Sequence, residues 1–428
     1  MAARTSPPSP TGRTPRRRSP TAADAATDAV APAPVSVRAP DESLAVSRAR
    51  RINLDHNNVM DAVLGVGRGL SWGRLRGLGP ALARARDEVR EAHRAGATPL
   101  VAQLDASRAD AARALAARWS AEADRVVVFG ESAAVDGLLL TLDGALPPAV
   151  RACPGPRLAP LVAALAGAER PLLLLAGQAD WVAAQAARAH AGPISTHTLP
   201  PEEDGAFAPW SAEALALGLL GGHPPEDTLA AARELHARGG ELAHDLARRM
   251  AALSLALAED TGFVGIDLAA CGPDGQRLGR VCAASWAAVA CKSREGGAVR
   301  APGRDAPRAR ALGDEGELQR LHEGPRDQWT LLLHEQPAQG AADIELERVI
   351  DAEAAVWLEL GRPWAQLRYV ADDPASRLGV AQVLLEAALT IAVLQRTSPL
   401  EMPTADRFRE RLSALRAVGL TGATPPQE

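Results

Sequence analysis

Two short runs in the first half of this chain are apolar at every position. Val126-Val127-Val128-Phe129 ends at Gly130, and Leu172-Leu173-Leu174-Leu175 is followed by Ala176 and Gly177. A strand with no polar alternation is buried on both faces, which points to a parallel sheet covered by helices. The intervening segments have helical spacing. Leu75–Ala95 repeats Leu78, Leu82, Val89 and Ala92, and Ala106–Ala123, Leu158–Ala168 and Asp180–His190 are further helices. The second half continues the alternation. Helix is predicted over most of Glu226–Glu259 and over Gly279–Ala290, Ile344–Leu360 and Gly379–Gln395. Strands are predicted at Thr261–Leu268, Trp329–Leu333 and Trp364–Val370. Alternating strands and helices define an α/β fold, here two halves each with a central parallel sheet.

The flanks have a different composition. Residues 1–40 are rich in Pro, Ala, Ser, Thr and Arg, with no periodic apolar face, so they are expected to be a disordered tail. The domain expectation is 41–225 and 226–415, with a flexible tail at 416–428. Ser293–Arg310, rich in Gly and Arg, is expected to be a surface loop.

A net charge of -5 on 428 residues carries no nucleic-acid footprint. Basic residues near the start, Arg13 and Arg16–Arg18, are not followed by the apolar core of a secretory signal. No apolar run is expected to approach the ~20 residues that span a bilayer; the longest candidate, Ala212–Gly221, is interrupted by Glu213. Cys153, Cys271, Cys282 and Cys291 have neither Cys-x-x-Cys spacing nor a zinc-type histidine pair. They are expected to be buried thiols in a cytoplasmic protein, with no metal and no membrane partner.

The last third carries the most specific pattern. Arg308 to Pro325 includes Leu318-Gln319 and Glu323-Gly324-Pro325 and precedes the Trp329–Leu333 strand. Gly361-Arg362-Pro363, Asp373-Pro374-Ala375-Ser376-Arg377-Leu378-Gly379 and Ser398 to Pro403 follow in order. This order and spacing resembles the C-terminal half of glucose-6-phosphate isomerase. Over about residues 100–410 the resemblance implies two three-layer α/β/α sugar-isomerase domains. It also implies sugar phosphate as ligand, no cofactor and a homodimer. The family's activity is aldose–ketose isomerisation of glucose 6-phosphate and fructose 6-phosphate, in glycolysis and gluconeogenesis.

The family's chemical positions are mostly replaced. Its Gly-Gly-Ser phosphate turn corresponds to Gly130-Glu131-Ser132, with Asp136 in the following turn. Two acids there oppose a phosphate, and Ser132 is expected to cap the helix. The family's hydroxyl-rich second phosphate loop corresponds to Ala176-Gly177-Gln178-Ala179-Asp180, where Gln178 is the remaining donor. Ala206 stands at the family's arginine, within a segment that keeps Phe207 and Ser211. Ala288 stands at the catalytic glutamate in Ser285-Trp286-Ala287-Ala288-Val289-Ala290-Cys291-Lys292, and a methyl group cannot move a proton. Glu315 takes the place of the ring-opening histidine, and Arg409 lies near the family's C-terminal lysine. His322, beside Glu323, is expected to be a half-exposed turn residue.

The candidate residues implied are therefore Glu315, Lys292 and Arg409 for catalysis, and Gly130, Ser132, Gln178 and Ser211 for phosphate. The expected outcome is an isomerase relative with weak or absent catalysis, a scaffold or a sugar-phosphate binder. One alternative is an isomerase whose site is rebuilt around Glu315 or Glu317. Another is a hydrolase with Ser132 as nucleophile, although Ala134 replaces the second glycine of its elbow motif. Gly65-Val66-Gly67-Arg68-Gly69 lacks the third glycine spacing of a dinucleotide fingerprint.

Overall fold

The computed structural model describes residues 52–95, 100, 104–142, 146–155, 157–176, 186, 190, 192–200, 205–237, 245–290, 307–336, 343–370 and 372–397. Strand β1 (Asn53–Asp55) and a helical turn, Asp61–Leu64, precede the long helix α1 (Trp72–Arg94). Then come α2 (Ser107–Glu122), β2 (Arg125–Gly130), α3 (Ser132–Leu138), β3 (Val150–Pro154), α4 (Leu158–Leu165), β4 (Pro171–Ala176) and β5 (Ser195–Thr198). A 3-10 segment, Gly205–Trp210, leads into α5 (Ala212–Leu220), α6 (Pro225–Ala237) and α7 (Leu246–Ala256). The second half runs β6 (Gly265–Ala270), α8 (Gly272–Ala290), β7 (Arg308–Ala311), α9 (Glu315–Glu323) and β8 (Gln328–Gln336). It closes with α10 (Ile344–Glu359), β9 (Trp364–Val370) and α11 (Pro374–Leu394).

The elements build two sheets. The first has the order β3-β2-β4-β5 and is parallel throughout. The second has the order β1-β9-β8-β6-β7, parallel except for β1, which pairs antiparallel with β9. The unbroken apolar runs are used on both faces, as their composition requires. Val127, Phe129, Leu173 and Leu175 pack with Leu161 and Leu165 of α4. Their alternating neighbours Val126, Val128, Leu172 and Leu174 join the main core. In the second sheet Ala269 and Leu332 pack with Ile350 and Trp357 of α10, while Leu268, Leu331, Leu333 and Leu367 face the main core. The architecture is α/β/α with parallel sheets.

Several boundaries differ from the sequence expectation for local reasons. The strand expected at Thr261–Leu268 begins only at Gly265, because α7 runs on through a π turn, Leu257–Thr261. Thr261 Oγ1 donates to the Leu257 carbonyl at 2.7 Å, and Gly262 ends the turn at φ 79°. Helix α8 starts seven residues before Gly279, at Gly272. The end of the expected loop Ser293–Arg310 belongs to β7, whose Arg310 is only 6% exposed. Arg310 donates to Asp267 at 2.7 Å and to Glu353 at 2.8 Å, so a charged residue is paired into an edge strand.

Helix α11 corrects the expectation that no segment approaches membrane-spanning length. It has 21 residues, of which an 18-residue stretch has a mean hydropathy of 1.7, enough to cross a bilayer by length and composition, but 89% of that stretch is buried inside the chain. It packs against α1, α6, α7 and α8. Gly379 allows this approach: a Cβ there would clash with Ile52 and come 2.7 Å from Leu235. With Ile350 and Trp357 also buried, neither α11 nor that face of α10 is free to pair with a second copy. The apolar residues α10 does expose are Ile344, Val356 and Leu358. The tail at 1–40, the helix expected at Asp180–His190 apart from Ala186 and His190, and the Ser398 to Pro403 motif lie outside the described residues.

Candidate functional site

Ligands in parallel α/β sheets sit beyond the carboxyl ends of the strands, against helix N-termini. At that edge of the second sheet, β6 passes through Cys271 into α8, β8 ends in Glu335-Gln336, and β9 ends in Tyr369-Val370. A helix N-terminus presents unpaired N–H groups and a partial positive charge, a natural seat for an anion. Here Glu335 lies in that seat. It accepts the Gly275 backbone N–H and, at 2.7 Å, the Tyr369 hydroxyl. A Cβ at Gly275 would lie 2.5 Å from Glu335 Oε1 and 3.3 Å from the Tyr369 hydroxyl, so the carboxylate in its present position leaves room only for glycine.

Burial raises the Glu335 pKa; the Tyr369 hydrogen bond opposes that, Asp274 adds to it, and Arg377 and the Gly275 N–H oppose it. Tyr369 is fully buried, and burial with the Glu335 charge drives its phenol well above the ordinary value. It therefore stays protonated and serves as donor. Burial, with Glu335 next, pushes the neighbouring Cys271 thiol up to about 12. A thiol held in that form is a poor nucleophile.

A ladder of opposite charges continues from this point toward the first sheet. Asp136 on α3 accepts from Arg280 Nε at 2.7 Å and from Nη2 at 3.2 Å, with Arg277 at 3.9 Å. Arg277 donates to Asp274 at 2.8 Å, and Asp274 stands 4.0 Å from Arg377. Arg377, 1% exposed, donates to the Leu140 and Leu142 carbonyls at 3.1 and 2.9 Å. It thereby ties the N-terminus of α11 to the chain after α3. Asp136 is not the free anion that its place beside the Gly130 turn suggested; its charge is matched by Arg280.

The residues named from the sequence are not gathered at this edge. Gly130 closes β2, where a Cβ would clash with the Ala176 carbonyl. Ser132 is exposed and is the first residue inside α3; Glu131 holds the N-cap position, so Ser132 is not the cap expected. Among the described residues Ser132 makes no hydrogen bond to a histidine. Ser211 is fully buried and caps α5, accepting from Ala214 N at 3.1 Å and donating to the Ala208 carbonyl at 2.9 Å. Ala206 lies in the 3-10 segment and Ala288 in the last turn of α8, both half-buried. Glu315 is exposed at the start of α9, and Glu317 there accepts from Arg320 Nε at 2.5 Å. His322, in the last turn of α9, is exposed. No hydrogen bond or ion pair joins any two of Ser132, Ser211 and Glu315 among the described residues. Gln178, Lys292 and Arg409 lie outside them.

Sequence reasoning missed Glu335, Tyr369, Arg377 and the partners of Asp136. Two of these left a trace. Tyr369 is the single tyrosine, placed near the end of an apolar strand, and Arg377 is a cation near the start of a long apolar helix.

No protein-family model and no curated protein matches the sequence. Solved structures do match the fold. A hypothetical protein from Thermus thermophilus aligns with a TM-score of 0.60 at 15% identity, covering 84% of this chain and 99% of that one. A glucose-6-phosphate isomerase from Chlamydia trachomatis aligns with a TM-score of 0.57 at 12% identity, covering 74% of each chain. The chain thus shares the fold of a sugar isomerase.

Proposed function

We propose that this chain is a sugar-isomerase relative that has given up isomerisation and acts as a binding or assembly subunit. The observation that carries the reading is Glu335 seated on the N-terminus of α8, with Gly275 shaped to receive it. An end that would favour a bound anion is filled by the chain's own carboxylate. Ala288 and Ala206 agree with this, since neither can act as a base or stabilise an enediolate. Loss of one such group commonly costs roughly 10²- to 10³-fold in rate. The free, buried Cys153, Cys271 and Cys282 support a cytoplasmic setting.

A coupled assay of fructose 6-phosphate conversion by the full chain tests the proposal, with thermal shift as the binding arm. The expected outcome is no turnover above background. A rate in the ordinary enzyme range of ~1–10³ s⁻¹ refutes it. In that event the Glu315→Gln and Glu317→Gln variants test a site rebuilt on α9, and Ser132→Ala with an ester substrate tests the hydrolase reading.

A further inference from the structure

A second concave region lies away from the strand ends, between α1 and α7. It is an open groove of about 730 Å³. Small-molecule pockets commonly span roughly 300–1,000 Å³, with apolar walls and a few placed polar groups. The local sequence explains the space. Gly77 and Gly79 would meet nothing within 4 Å if they carried a Cβ. Pro80, inside α1, has no N–H to give the preceding turn. The Gly79 carbonyl also accepts from Arg248 Nη2 at 3.2 Å, so α7 bridges to α1 beside the groove.

The walls are Leu75, Pro80 and Ala83 from α1 and Ala252 and Leu253 from α7. Trp72 stands at the groove, 50% exposed, edge-on to His56 at 5.2 Å between ring centroids. An indole left half in water beside an apolar cleft is a surface suited to an apolar ligand.

The polar lining has one sign. It consists of His56, Arg76, Arg248 and Arg249, and no carboxylate lines the groove. Arg249 donates to the Leu54 carbonyl at 2.7 Å and faces His56 Nδ1 at 2.9 Å, contacts that fix its guanidinium at the groove wall. The neighbouring acids Glu259 and Asp260 are engaged by Arg74, while Asp55 accepts the Asn57 N–H and offsets part of the Arg249 charge. Arg76 is exposed and forms no ion pair among the described residues.

We propose that the α1–α7 groove binds an amphipathic monocarboxylate, its aliphatic body on the apolar walls and its head at the exposed Arg76. Arg76 selects the anion, and the apolar walls select an aliphatic chain. This site is independent of the strand-end edge and of whether that edge catalyses anything.

Isothermal titration of the full chain with decanoate, below its micellar concentration, tests the proposal. Decan-1-ol, butyrate and decyltrimethylammonium serve as comparisons. Decanoate is expected to bind saturably at one site, at least about tenfold more tightly than any of the three. Ala83→Trp, at a half-exposed wall position, is expected to weaken decanoate at least tenfold by filling the groove. Arg76→Gln is expected to weaken decanoate several-fold and leave decan-1-ol unchanged. Both variants are checked for unaltered circular dichroism. If Ala83→Trp does not fold, Arg76→Gln, a surface change, carries the test alone. The proposal is overturned if decanoate does not bind, if the alcohol or the cation binds as tightly, or if the variants leave decanoate binding unchanged.

Discussion

Acidification should destabilise this protein through a buried histidine and a half-buried one set among arginines. His93 on α1 and His236 on α6 meet edge to face, with ring centroids 5.3 Å apart. Around them Glu386 of α11 pairs with Arg86 and with His236 Nδ1 at 2.8 Å, and accepts from Gln382 at 2.9 Å. Asp245, the N-cap of α7, stands 3.6 Å from Arg86. Burial first, then His236 and Arg86, lower His93 to about 3. Burial, then Arg86, Arg90 and Arg94, lower His236 to about 4. Both folded values lie below the ordinary 6.5, so the unfolded chain takes up protons first. Stability is therefore full above about pH 6.5 and falls as the pH drops toward the folded values. At pH 5 the medium is about 1.5 units below the free histidine value, at about 1.4 kcal/mol per unit. The His93 ring then costs about 2 kcal/mol relative to pH 8, and His236, whose charged form the Glu386 carboxylate favours, costs less. Urea unfolding at pH 8 and pH 5 measures this directly, with His93→Leu alongside the native chain. His56 and His334, also lowered by burial, add a loss common to both proteins. The variant should lose about 2 kcal/mol less than the native chain on acidification. Equal losses in the two proteins, or a native chain more stable at pH 5, refute the reasoning.

Three further outcomes follow from the packing. Gly275→Ala places a methyl 2.5 Å from Glu335 Oε1 and should lower stability by about 1–3 kcal/mol, seen as a reduced melting temperature; an unchanged melt would show that Glu335 moves freely. Arg377→Met strips the hydrogen bonds from the Leu140 and Leu142 carbonyls and should cost about 2–4 kcal/mol in urea, whereas a change under about 1 kcal/mol contradicts the bridging role. A homodimer, if formed through the exposed Ile344, Val356 and Leu358 of α10, should appear by light scattering at twice the 44.6 kDa chain mass. A monomer at micromolar concentration removes it.

How much of this was legible in the sequence depended on whether the determining contact was local. The runs at Val126–Phe129 and Leu172–Leu175 declare buried parallel strands because every side chain in them must leave water. Trp364–Val370 was found to the residue for the same reason. The edge strands escaped notice because their support comes from elsewhere. Asn53–Asp55 is a strand only because Arg368, Leu367 and Gln366 lie opposite, far along the chain. Arg310 looked like loop composition until Asp267 and Glu353 could be seen to bury it. The strand-end site was half legible. A resemblance locates the Gly130 turn and the alanines at 206 and 288. It includes Arg377 in the Asp373–Gly379 run without its role and says nothing of Glu335; both roles exist only once α8, β8 and α11 are brought together.

The contacts at the strand ends and the two alanines at 206 and 288 have a common physical direction. A working site leaves a helix end open and holds charges unpaired for its substrate, which costs the fold stability. Here the open features are closed. Glu335 rests on the α8 terminus, an arrangement worth roughly 0.3–1 kcal/mol for a carboxylate so placed. Asp136 is matched by Arg280, and Arg377 directs donors to main-chain carbonyls. Where the resemblance implies a glutamate or an arginine, Ala288 and Ala206 remove the side chain that would need a partner. Random decay would be expected to strand some charges at this edge. Methyl groups and matched pairs instead are what the proposed loss of chemistry predicts. On that reasoning Glu335→Ala should uncover the α8 terminus and allow inorganic phosphate to raise its melting temperature, while the native chain shows no shift. Isomerase activity should return in neither, because no base stands at position 288. A phosphate-dependent shift in the native chain alone would show that the end was open from the start and would remove the central support for a closed site.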